Sequence, residues 1–242
     1  MAARTTGRPA KDRLLNAAER LFAKRGYHGV SIRDITDAAK VDVALVNYHF
    51  GTKRALLTSV FERRAEVLNS ERLERLEAVR NPGDGATHLE SVVNAFMEPL
   101  IMRSARGGPG WKAYFALVAQ VNNSPELSVL MTRHFDPVVH KFIAVLREAL
   151  PGADPRDVYW GYHFLTGALT LTFAETGRLD KLSGRLCRSS DLDAVNIRFA
   201  PFMAAGFAML AQRHCGDKAT RRLDSASVRD AADRGGAASV AD

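Results

Sequence analysis

The 242-residue chain is 46% hydrophobic and 25% charged, a balance that lets it bury a substantial core and excludes a long disordered chain. Its formal charge of +7 is concentrated: residues 1–64 hold 13 of the 34 Lys and Arg but 6 of the 27 Asp and Glu, so the remainder is neutral. The two cysteines, Cys187 and Cys215, fit no metal spacing or redox motif, so neither a metal nor another cofactor is expected.

A compact cationic segment draws phosphate by Coulomb attraction and counterion release, although a solvated basic face would carry the same charge. The first nine residues hold no apolar run of the kind that directs secretion. The longest apolar stretch, Phe199 to Ala211, is too short to span a bilayer and reads as buried helix. A cytoplasmic protein without a membrane partner is expected.

Apolar residues recur at helical spacing almost throughout, and Gly or Pro falls between the periodic segments, so the chain reads as all-α. A first helix spans about Ala10 to Lys24, with Leu14, Leu15, Ala18, Leu21 and Phe22 on one face and Gly26 placed to end it. Ser31 opens a second helix, with Asp34 three residues on completing a capping box and Ile32, Ile35 and Ala38 or Ala39 facing inward. Asp42 caps a short third helix through about Tyr48, and Thr52 caps a long, charged fourth helix reaching Val79. Further helices fall near 86–104, 110–122, 125–149, 155–177 and 191–213. The implied organisation is a basic flexible arm (1–9), a three-helix unit (10–55), a connecting helix (56–80), a helical bundle (81–213) and a polar, disordered tail (214–242).

Three short helices within a basic segment, the last two joined by a tight turn, are what a helix-turn-helix requires, because a slim, exposed third helix can enter the major groove. The stretch from Val30 to Leu57 resembles the DNA-binding region of TetR-type regulators, with Tyr48-His49-Phe50, Lys53 and Leu56-Leu57 at the family's spacing after Ile35. Ala17-Ala18 and Leu21-Phe22 before Gly26-Tyr27 agree as well. The resemblance implies that Arg33, Val43, Ala44 and Leu45 lie at base edges or sugar methyls, that Asn47 and Tyr48 face the groove, and that Lys53 and Ser31 meet phosphates. Phe50 reads as core, and His49 divides between a phosphate contact and packing. Lys40 stands where the family's turn commonly has Gly; a left-handed backbone there would cost about 1 kcal/mol or more, so a differently built turn is one outcome. The cations Arg4, Arg8 and Lys11 could enter an adjacent minor groove or only screen phosphates.

The second half is rich in aromatic residues at helical spacing. Regulators of this family generally bind an inducer between such helices, and the segments Arg64 to Leu76 and Trp160 to Leu169 look like the family's fatty-acid-responsive branch. An apolar effector such as a fatty acid or acyl thioester would then lie along Phe96, Trp111, Phe115, Val118, Phe142 and Leu165, its polar head met by Arg103, Arg133, His134 or His163. Small residues in the last two long helices, among them Gly161, Gly167, Ala204 and Gly206, suit a four-helix interface between two copies, and the resemblance implies the same homodimer. The expected function is a repressor on a double-stranded, palindromic operator. A helical-pocket enzyme and an inducer-independent architectural DNA-binding protein are the alternatives. No catalytic residue is assigned: the chain has no metal-binding His pair or nucleophile elbow, and Arg106-Gly-Gly-Pro-Gly lacks the Lys of a phosphate loop.

Overall fold

Helical periodicity in the sequence becomes ten helices among the residues described by the computed structural model, 7–80 and 85–212, with no strand among them. The helices are α1 (Gly7–Arg25), α2 (Ile32–Ala39), α3 (Ala44–His49), α4 (Lys53–Ala78), α5 (Gly85–Arg106), α6 (Pro109–Asn122), α7 (Ser128–Ala149), α8 (Pro155–Ala174), α9 (Arg178–Leu182) and α10 (Leu192–Gln212). The expected tail, 214–242, lies outside the described residues, as does the expected arm except that residues 7–9 already begin α1. The short helix α9 falls in a stretch where no helix was expected.

Caps act where the sequence places them. The Ser31 side chain accepts from the Asp34 amide at 3.1 Å while the Asp34 carboxylate accepts from the Ser31 amide at 2.8 Å, which completes the capping box. Asp42 accepts from the Ala44 amide at 2.7 Å and Thr52 from the Ala55 amide at 3.0 Å. Lys40 ends α2 in the left-handed region, φ 53°, so the turn keeps the geometry for which Gly is suited and Lys bears the strain.

Leu14, Leu15, Ala17, Ala18 and Phe22 of α1, Ile35 and Ala39 of α2 and Val46 of α3 bury against Leu56, Leu57, Val60 and Phe61 of α4. Ile32 is partly buried and Ala38 exposed. This core is continuous with the one beneath α5 to α8, because α4 packs on α1, α5 and α7 while α6 packs on α1. The three-helix head is therefore seated on the bundle through α4 and α6 rather than tethered by a free rod.

Helix α10 departs from the reading of a short buried segment. It runs for 21 residues with a mean hydropathy of 1.4 over its most apolar window, of which 28% is buried, so by length and composition it could cross a membrane. It packs instead on α8: a Cβ on Gly161 would lie 2.3 Å from the Phe207 ring, so only glycine admits that ring. The far side of the pair leaves Trp160, Phe164 and Leu171 of α8 and Phe202 and Met209 of α10 each more than half exposed.

Candidate nucleic-acid interface and internal cavity

Helix α3 has six residues and buries only Val46 fully, which leaves its outer face free. Val43, Ala44, Asn47 and Tyr48 are exposed, and Tyr48 is 81% accessible, although burying its ring would be worth about 2 kcal/mol. Arg33, on the adjacent helix, is exposed, and its guanidinium makes no hydrogen bond or ion pair among the described residues. Val43, Ala44, Asn47 and Tyr48 are therefore accessible on and just before α3, and Arg33 is accessible on α2.

Four other expected DNA contacts are otherwise engaged. Leu45 is partly buried against the core, because its side chain closes the underside of α3. The Lys53 ammonium donates to the carbonyls of Tyr27 at 2.8 Å and Val30 at 2.7 Å and stands 4.3 Å from the Tyr27 ring. It ties the loop after α1 to the start of α4 and spends two of its three N–H groups there. Both polar groups of Ser31 are occupied by Asp34, whose carboxyl is held below its ordinary range first by that side-chain hydrogen bond. His49 stacks edgewise between Tyr48 and Phe50, and its Nε2 is buried with no partner among the described residues, which favours the packing role over a phosphate contact.

The bundle holds a partly open cavity of about 70 Å³ between α5, α6, α7 and α8, with Arg72 of α4 also in its lining. Phe96, Phe115, Val118 and Leu165 line it, as the sequence led us to expect, together with Leu100, Phe135, Val139, Leu169 and Phe173. Trp111 and Phe142 do not line it. They form a second layer, Trp111 stacked 5.8 Å from Phe115 and Phe142 stacked 3.9 Å from Phe96.

None of the expected head-group donors reaches this cavity. Arg103 donates to Glu71 at 2.8 Å and lies over Trp111; Arg133 is exposed; His163 stands on the outer face of α8 beside Trp160. His134 is half-buried, and burial holds its imidazole below the usual range. The charged residue that does line the cavity is Arg72, 3% exposed, in the company of the polar side chains of Asn122, Tyr162, Thr166 and Thr170; the sequence reading does not name it.

Helices α4 and α6 connect cavity and head. Glu19 of α1, 1% exposed, accepts from Arg63 at 2.9 Å and from Arg64 at 2.9 and 3.0 Å, while Gln120 of α6 donates to the Ala23 carbonyl at 2.6 Å. Gly110 admits this ion cluster, since a Cβ there would lie 2.3 Å from the Arg64 guanidinium. Phe115, Val118 and Ala119 of the same α6 face the cavity.

Comparison with known proteins agrees with this architecture. Residues 14–60 match the family model for bacterial regulatory proteins of the tetR family, and residues 94–206 match the model of a tetracyclin repressor-like C-terminal domain. The transcriptional activator FasR of Mycolicibacterium smegmatis is 32% identical over 88 residues, 36% of this chain and 39% of that protein. A transcriptional repressor of Mycobacterium tuberculosis is 43% identical over 70 residues, 24% of this chain and 37% of that one. The matches thus span about two-fifths of the relatives' own length. Among solved structures, Salmonella enterica GusR superposes with a TM-score of 0.58 at 18% identity, covering 86% of this chain and 98% of that one. The fatty acid degradation regulator FadR of Bacillus halodurans gives 0.55 at 16% identity, covering 82% and 96%. Head, bundle and both family matches together place this chain in the TetR family of bacterial regulatory proteins.

Proposed function

We propose that the chain is a homodimeric DNA-binding transcriptional repressor, released from a palindromic operator by an apolar small molecule. The observation that carries the reading is the uncovered face of α3, where Tyr48 and Asn47 are exposed, while Arg33 on α2 is exposed and has no partner among the described residues. Asn can read adenine bidentately in the major groove, and Tyr and Val can meet thymine methyls. Phosphate affinity then comes from the cationic first quarter of the chain, with Lys53 limited to its remaining N–H group.

The outer face of α8 and α10 supports the dimer. Its exposed aromatic and aliphatic side chains are costly in water, and a twofold copy covers them with the same surface. Such a dimer sets two α3 helices against successive major grooves, about 34–36 Å apart.

The cavity supports an effector, and its walls continue into the helices that hold the head. A ligand that favours one arrangement of α4 and α6 shifts the spacing of the heads and lowers operator affinity. The resemblance to FadR, which is named for fatty acid degradation, favours an acyl ligand, and a cytoplasmic location follows from action on DNA. Relatives are named both as activator and as repressor, so the sign of regulation is part of this proposal. Selection of bound duplexes from a random pool at low ionic strength tests the reading. An enriched palindrome is expected, and failure to retain any duplex would overturn it.

A further inference from the structure

Arg72 sits in the C-terminal half of α4 with 3% exposure, on the stripe that carries Ala65, Leu68 and Leu76 into the core. Among the described residues no carboxylate lies within ion-pair distance of it. Its guanidinium donates from Nε to the Phe96 carbonyl at 3.0 Å, reaches the Asn69 side chain from Nη1 at 3.5 Å, and stacks 3.5 Å from the Phe96 ring centre. Three of its five N–H groups have no acceptor among the described residues. Burial pushes the guanidinium down to about 9, and the neighbouring hydroxyls of Tyr162 and Tyr114 offset this only in part.

A buried cation is ordinarily paired or absent, because removing it from water is costly unless an anion or several acceptors replace the solvent. Here no counter-charge stands beside it among the described residues, and the cation borders a largely apolar cavity. We propose that Arg72 is the anchor for the carboxylate of the effector, and that the effector is a compact hydrophobic free acid.

The inference rests on the cavity being the effector site. It adds a class of ligand and excludes another. A carboxylate matches the planar guanidinium and takes up its unused N–H groups, whereas an acyl thioester brings no charge to this end of its chain. Size acts in the same direction. The cavity, about 70 Å³, is smaller than the roughly 150 Å³ engineered cavities that admit benzene, so even a short acid has to displace lining side chains, which favours a compact ligand. Asn122, the exposed lining residue, donates to Thr170 at 3.2 Å across the α6–α8 edge and marks where a ligand enters.

The test is isothermal titration of the full chain with octanoate, 1-octanol and octanoyl-coenzyme A, repeated on Arg72→Met and Arg72→Lys. Charge-assisted hydrogen bonds predict that octanoate binds about tenfold to a hundredfold tighter than octanol. Arg72→Met erases that preference and leaves octanol binding in place, whereas Arg72→Lys retains part of it. Equal affinity of the native protein for acid and alcohol, which needs no variant, would overturn the assignment of Arg72 and spare the cavity. Tighter binding of the thioester than of the acid overturns it too. Binding of none of the three overturns the cavity as effector site and the assignment with it.

Discussion

Replacing Glu19 by Gln should cost the protein more than any surface charge change, because it removes the one anion between two partly buried guanidiniums. Glu19 is 1% exposed, and the side chains of Arg63 and Arg64 are 27% and 19% exposed, so full hydration of either cation requires opening the α1–α4 contact. Removing one partner of a fully buried ion pair costs about 3–5 kcal/mol. Partial solvation of the arginines and the amide oxygen that Gln still offers bring the expected loss to about 2–3 kcal/mol. Arg63 sharpens the effect, since its Nε is already buried without a partner and only Asn16, at 2.8 Å, would remain beside the weakened contact. For a chain of this size each kcal/mol lowers the melting temperature by about 2–4 °C, so a drop of roughly 4–12 °C is expected. Thermal and urea unfolding followed by circular dichroism measure it, and Glu19→Gln combined with Arg64→Met isolates the pair. A loss below about 0.5 kcal/mol, the range of ordinary surface substitutions, would refute the claim that this cluster joins head to bundle.

Replacing Lys40 by Gly removes the left-handed strain at the end of α2 and should raise stability by up to about 1 kcal/mol, offset by the greater freedom of unfolded glycine; urea midpoints report the sign. Tyr48→Ala should leave the melting temperature unchanged, since the ring is 81% exposed, yet weaken operator binding in a fluorescence anisotropy titration. If Arg33 meets a phosphate, Arg33→Ala lowers affinity for all sequences alike and reduces the slope of log affinity against log salt by about 1. Phe202→Glu puts a charge on the outer face of α10 and should yield monomers in sedimentation equilibrium at concentrations where the native chain is dimeric. The Asp34 carboxyl titrates below 3.8 when folded, so its contribution to α2 is complete above that value and lost as pH falls through the lower folded one. Ser31→Ala should move it back toward 3.8 in a carbon-detected NMR titration.

The head was legible because its signals are local. Ser31 with Asp34, Asp42 with Ala44 and Thr52 with Ala55 are each separated by two or three residues, so sequence spacing is close to geometry. What these residues do beyond the cap depends on segments far along the chain. Lys53 finds the carbonyls of Tyr27 and Val30, 26 and 23 residues away, and that competition withdraws two of its donors from DNA. The same holds for Ser31: reading it as a helix cap and as a phosphate ligand asks one hydroxyl and one amide to serve twice, and the cap takes both.

Arg72 teaches the converse. Cations in a charged helix read as solvated, and the pattern Ser-Glu-Arg-Leu-Glu-Arg-Leu hides one arginine among equals. A signal was nevertheless present: Phe61, Ala65, Leu68, Arg72 and Leu76 follow one another at intervals of three or four, so position 72 falls on the buried stripe while Arg75 falls off it. Arg75 accordingly pairs with Glu71 and Glu98 at the surface, and Arg72 goes inside without an acid. Aromatic residues at helical spacing point to a ligand-binding region, but composition and spacing cannot separate the layer at the cavity from the layer behind it. Phe96 and Phe142 show the difference, since they stack on each other and only the first reaches the empty space. A charged residue on a core stripe is the more discriminating mark of a ligand site, because an apolar side chain is buried for stability alone, whereas a buried cation needs a further reason.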